Sequence, residues 1–313
     1  MRTNGTAPAP TTNAGSPVLD PQSNNQVIKA IAGRYAIIEP MVSSGDVAGY
    51  YVQVNGASEY FKVDYAKPRN ISGRMSNPVR KSRHNNALYR GMGIDSIGGG
   101  NLDSSIVIVI PSTLQPGQFC ITYQAYDAAG NVSNVITACI QVSAFGTDAA
   151  SSYLNGIWHI TGVTDDTTAG WEPVLGVNDS TFSTGVCING HIVDTFGFAG
   201  NINYPAYIYQ VSKADLELGS NGGLKYTYAE IEKDFNYQTS SCSNFVFNSQ
   251  TYTDVMNGAW SYTAATGSMV VIFDFDDQGV SDPEAYEYKL TKISNNKMYW
   301  YDPIDDSWLR LEK

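Results

Sequence analysis

Four cysteines carry the most definite chemistry in this 313-residue chain. Cys120 and Cys139 stand in two alternating runs joined across Asp127–Asn131. Setting Cys120 opposite Cys139 puts Thr122 opposite Thr137 and Gln124 opposite Val135. Phe119, Ile121, Tyr123 and Ala125 then share the other face with Ile136, Ala138, Ile140 and Val142. One hairpin register therefore satisfies both a cross-strand disulfide and an apolar face. The competing reading is two unpaired thiols. With two cysteines in each half, Cys187 and Cys242 make the second expected pair, on weaker grounds, since four cysteines allow three connectivities.

Cation binding is the next chemistry to test. The run from Asp274 to Glu284 places Asp274, Asp276 and Asp282 at positions 1, 3 and 9 of a calcium-loop spacing, with Gly279 at position 6. Position 12 is Ala285, where such a loop needs a bidentate Glu. A structural calcium ion and an ordinary acidic loop both remain open on this pattern. No other cofactor is expected. His84, His159 and His191 lack metal-ligand spacing and read as structural. No Gly-x-Ser-x-Gly elbow is present. Paired carboxylates could serve a hydrolase, but 21 acids beyond residue 150 will pair by chance. The catalytic expectation is therefore none.

Aromatic side chains offer a binding chemistry. Trp171 stands in a loop context, Tyr204, Tyr207 and Tyr209 surround Pro205, and Trp260 lies beside Tyr262. Flat rings near Asn and Asp suit sugar rings or amphipathic molecules. Alternatively, such rings fill the lumen of a barrel or cover its mouth.

The elements that must position these groups are strands. Charged residues form only 16 % of the chain, Tyr numbers 21 and Gly 29, and long amphipathic helical patterns are almost absent. Short alternating runs broken by Gly, Asn, Asp and Ser predict an all-β protein. Net charge is −11, unevenly spread. The first 150 residues carry 11 basic side chains against 9 acidic, and the rest carry 8 against 21. The acidic half should repel nucleic acid and anionic membrane surfaces. No apolar run is long enough to span a membrane as a helix.

Residues 1–26, rich in Thr, Asn, Pro, Ala and Ser, predict a flexible tether. Residues 27–145 form a first unit, with a hairpin signal at Asn55-Gly56 and a buried-strand run at Ser105–Ile110. Within it, 67–101 is a basic loop with little strand pattern, read as a solvated loop or a contact surface. Residues 146–152 are a linker. Residues 153–313 hold eight to ten short strands with near-neighbour connections, predicting an up-and-down β-barrel. Disulfides imply an oxidising compartment, yet the residues after Met1 lack the apolar segment of an export signal. A mature chain whose signal has been removed reconciles the two.

Two resemblances add to this. Tyr123-Gln-Ala-Tyr-Asp-Ala-Ala-Gly-Asn-Val-Ser133 resembles the last hairpin of bacterial immunoglobulin-like domains, which implies an immunoglobulin-like β-sandwich over 27–145. Gly156-x-Trp158, with Trp300 and Trp308–Leu311, is similar to the lipocalin pattern, which implies a lipocalin-like barrel with Trp158 across its closed end. In that order, tether, sandwich and barrel look like surface lipoproteins of Bacteroidetes-type bacteria. Those carry an acylated Cys where this chain has Met1, so membrane contact would run only through a removed lipid anchor. The resemblance implies an extracellular or outer-membrane-surface binding or accessory protein, with a glycan, a small amphipathic molecule or a surface protein complex as partner. The alternative is a purely structural protein-contact module, such as a virion or filament decoration.

Overall fold

The hairpin that anchors the sequence reading organises the first unit. In the computed structural model, which describes residues 2–13, 15–21, 27–64, 106–147, 149–195, 200–277 and 280–313, every regular element is a strand except one 3-10 turn. The first unit contains β1 (Arg2–Asn4), β2 (Val18–Leu19), β3 (Ile28–Ile31), β4 (Tyr35–Ile38) and β5 (Val42–Ser44). It continues with β6 (Gly49–Val54), β7 (Glu59–Asp64), β8 (Ile106–Val109), β9 (Gly117–Tyr126) and β10 (Ile136–Ser143). One six-stranded sheet runs β1-β7-β6-β9-β10-β3, with β3 parallel to β10, and two ribbons pair β2 with β5 and β4 with β8. Ala36, Ile38 and Ile106 from a ribbon share one core with Tyr50, Val52, Ile121, Tyr123, Ile136 and Ile140 from the sheet. The basic loop 67–101 lies outside the described residues.

Cys120 stands opposite Cys139 and Thr122 opposite Thr137, and the cysteines are bridged. Period-two burial and the disulfide agree on this register because a shift of one residue would turn one of the two apolar sets outward.

The N-terminal segment departs from expectation. Residues 2–13 and 15–21, read as a flexible tether, lie along the first unit instead. β1 extends the sheet beyond β7, the Pro8 carbonyl accepts a hydrogen bond from Gln124, and Thr11 bonds Val132 through backbone and hydroxyl. Leu19 is fully buried, and its backbone is held by the Asn134 amide. Strand pairing uses backbone donors and acceptors, so this polar composition can still add to a sheet; only Leu19 supplies a large apolar anchor.

The second unit is built from β11 (Gly156–Thr164), β12 (Glu172–Pro173), β13 (Gly176–Ile188), β14 (His191–Asp194), β15 (Ile202–Leu218) and β16 (Gly223–Phe235). It is completed by β17 (Phe247–Thr263), β18 (Ser268–Asp277), β19 (Val280–Ser294), β20 (Lys297–Asp302) and β21 (Ser307–Glu312). The antiparallel order β11-β21-β20-β19-β18-β17-β16-β15 is closed by pairing of β11 with β15, an eight-stranded barrel. β15, β16 and β17 run past the closure, and β13 and β14 add to the projecting part of β15 as a flap. Cys187 of β13 is bridged to Cys242 in the β16–β17 connection, which staples that flap. Two disulfides fit a non-reducing, extracellular environment. Among the described residues no helix is long and apolar enough to cross a membrane.

The two units touch. Ile31 and Tyr35 pack on Ala259, Val270 and Ile272, which face outward from the barrel wall. Gly146, expected in a free linker, bonds Trp260 and Tyr262 through its backbone, and Phe145 presses on Gly222. At Gly222 (φ +75°) a Cβ would lie 2.7 Å from the Phe145 ring, so both conformation and space call for glycine.

Candidate functional site

Alternation along the barrel strands puts two different chemistries at its two ends. At the end where β11 begins, Trp158, Leu154, Leu216, Leu218, Trp260 and Met269 are buried together. The Trp158 indole donates to the Leu154 carbonyl at 2.6 Å, and the Trp260 indole to the Gly219 carbonyl at 3.0 Å. This end is plugged, and both indole N–H groups are used.

The opposite end is lined by tyrosines and carboxylates. On β16 the inward series runs Leu224, Tyr226, Tyr228, Glu230 and Glu232, apolar at depth and acidic toward the rim. On β19 it runs Glu284, Tyr286, Tyr288 and Leu290, and on β20 Met298, Trp300 and Asp302. Tyr209 Oη lies 2.5 Å from Tyr228 Oη and donates to Glu230 Oε2 at 2.7 Å. Tyr207 donates to Glu232 at 3.0 Å, and Tyr286 to Glu284. The rings pack in a row, Phe273 on Tyr286, Tyr286 on Tyr288, and Tyr288 on Trp300 at 5.2 Å between centroids.

Burial sets the electrostatics of this end. It lifts the Glu230 carboxyl above the usual range against the Tyr209 hydrogen bond, with Glu232 and Asp254 adding repulsion. It also lifts Asp302, although the backbone amides of Ile304 and Asp305 bond that carboxylate. The Tyr209, Tyr286 and Tyr288 phenols are pushed up, first by burial and then by their hydroxyl or carboxylate neighbours, so they stay protonated donors. Among the described residues, two hydroxyls here have no hydrogen-bond partner. They are those of Tyr288, fully buried, and Ser307, 5 % exposed.

The five aromatics singled out from the sequence fall in four places. Tyr207 and Tyr209 are at the tyrosine–carboxylate end. Tyr204 is buried in the flap with Ile192 and Phe235, its hydroxyl 2.9 Å from that of Tyr237. Trp260 belongs to the plug. Trp171 lies outside the barrel wall, its ring 4.8 Å from that of Tyr299 and 5.3 Å from the Arg310 guanidinium. The fold therefore brings only two of the five together.

Of the three calcium candidates, Asp274 faces away from the lumen and pairs with Arg34 of the first unit at 2.9 Å. Burial outweighs that guanidinium and raises the Asp274 carboxyl. Asp276 and Asp282 stand in the paired backbones of β18 and β19; their side chains lie outside the described residues. Among the described residues no group of three or more His, Cys, Asp or Glu side chains could hold a metal ion. His159 bonds Asp215 at 2.6 Å on the barrel exterior.

Sequence reasoning missed Glu230, Glu232, Glu284 and Asp302. The signal was present: the alternation that places Tyr226 and Tyr228 inward continues without a break into Glu230 and Glu232. No family model and no curated protein matches the chain.

Proposed function

We propose that this protein is a non-catalytic extracellular binding protein whose barrel takes a small amphipathic molecule or the end of a glycan at its tyrosine–carboxylate end. The observation that carries this reading is the Tyr209–Tyr228–Glu230 network. It is a hydrogen-bonded polar group set inside one end of a barrel whose other end is plugged by tryptophan. Ligand sites combine apolar walls with a few placed polar groups, and this end has both.

On this reading the barrel is lipocalin-like, supported by closure of eight antiparallel strands, seven of them consecutive in the chain, and by Trp158 at the plugged end. The first unit is immunoglobulin-like, supported by two packed β layers with a parallel β3–β10 edge. The whole is a surface protein of the Bacteroidetes lipoprotein kind, and any calcium would be structural.

A thermal-shift and calorimetric screen against glycans and amphipathic molecules tests it. A hit should bind at least about five-fold more weakly to Glu230→Gln or Tyr207→Phe, the loss of one polar contact. No hit, or a hit indifferent to both changes, counts against it.

A second reading, a protein-contact module, is favoured by one observation. Phe182, Ile188 and Val193 are 60, 50 and 45 % exposed on the flap, where β14 is the sheet edge. Co-purification from native material that is lost on Phe182→Glu would support it.

A further inference from the structure

Tyr288, Asp302 and Ser307 are buried at inward positions of three adjacent strands, with Asp302 directly opposite Ser307 in the β20–β21 ladder. Tyr288 is fully buried and Ser307 nearly so, yet neither hydroxyl has a hydrogen-bond partner. A buried hydroxyl left unsatisfied is unfavourable, so two beside one carboxylate mark a place that another group completes. Asp302 is the carboxylate that acts most strongly on the Tyr288 phenol. Trp300 and Tyr286 flank Tyr288 as aromatic walls.

The missing group can be typed by its complement. Two hydroxyl oxygens and a carboxylate offer three acceptors at neighbouring inward positions, and a primary ammonium brings three N–H donors. Aromatic faces favour a cation further. Among the described residues, the inward positions of these strands at this end carry Glu230, Glu232, Asp254, Glu284 and Asp302 and no lysine or arginine. A carboxylate head would be repelled, and a neutral hydroxyl would supply one donor where three are wanted. We infer that Tyr288, Ser307 and Asp302 seat the primary ammonium head of an amphipathic amine or amino sugar. This rests on the reading of this barrel end as a ligand site.

The test uses the full disulfide-bonded chain and three probes of equal tail, n-octylamine, n-octanol and n-octanoate, in calorimetry at neutral pH. Octylamine should bind at least about ten-fold tighter than octanol, as a charge-assisted contact requires, and octanoate weakest. Asp302→Asn should remove most of that preference for octylamine over octanol. Because Asp302 also holds the turn at Ile304 and Asp305, Tyr288→Phe is the second variant. It breaks no hydrogen bond within the chain, so the fold should melt unchanged while octylamine affinity falls. Equal binding of octylamine and octanol, both weakened by Tyr207→Phe, would overturn the ammonium seat and leave the ligand site standing. Octylamine affinity unchanged in Tyr288→Phe and Asp302→Asn would also overturn it, and would mean that an ordered water satisfies these hydroxyls. If none of the three probes binds, the seat is overturned, while the wider glycan screen decides the site itself.

Discussion

The two ends of the barrel are made from the same strands and read by the same alternation, yet they close in opposite ways. At the plugged end Trp158 and Trp260 are fully buried and each indole reaches a backbone carbonyl. At the other end the inward positions change from apolar to acidic within one strand, and two hydroxyls are left without partners. The first arrangement maximises burial with both indole donors used. The second accepts an energetic penalty that folding alone does not explain, which is the mark of a place kept for another purpose.

Breaking the plug should have the largest effect. Trp260→Ala should lower stability by roughly 3–5 kcal/mol in denaturant unfolding, because it deletes a fully buried ring and leaves a cavity. A loss below about 1 kcal/mol would mean that the two ends are less different than their packing implies. At the acidic end the sign reverses. Glu230 has a raised carboxyl in the folded chain, so its contribution to stability is present below the ordinary glutamate value and is lost as pH rises through the raised one. Glu230→Gln should therefore raise the melting temperature by about 2 °C at neutral pH. The gain should shrink toward zero below about pH 4. A variant less stable at neutral pH would show that the Tyr209 hydrogen bond outweighs burial there. Tyr288→Phe should change stability least, within about 0.5 kcal/mol and on the stabilising side, since it removes an unsatisfied hydroxyl.

Much of this architecture was legible, for an identifiable reason. The Cys120–Cys139 register and the barrel strands around Trp158, Leu224, Met269 and Trp300 alternate apolar with polar, and one wet face makes that pattern visible. What was not legible lacks that contrast. From Asn248 to Val255 most side chains of β17 are exposed, so strand pairing there is written in the backbone and not in the side-chain pattern. The N-terminal segment escaped for the same reason. The acidic end escaped because 21 acids beyond residue 150 make any one pairing look like chance. Nothing in composition says that Glu230 and Glu232 continue an inward row; the parity of their positions does. Trp171, Tyr204 and Trp260 show the converse, since an aromatic ring looks the same in sequence whether it plugs a core, props a flap or lies on a wall.

Ala259, Val270 and Ile272 leave the barrel with a greasy strip on its exterior, and Ile31 and Tyr35 cover it. Arg34 clamps Asp274 at the margin of that strip, and Lys29 lies 3.5 Å from Glu287. A truncation carrying only residues 153–313 would bare that strip and strand a half-buried Asp274 carboxyl without its counter-ion. Such a fragment should clump or dimerise through the bared wall, so the shortest soluble piece that keeps the barrel also has to keep β3 and β4.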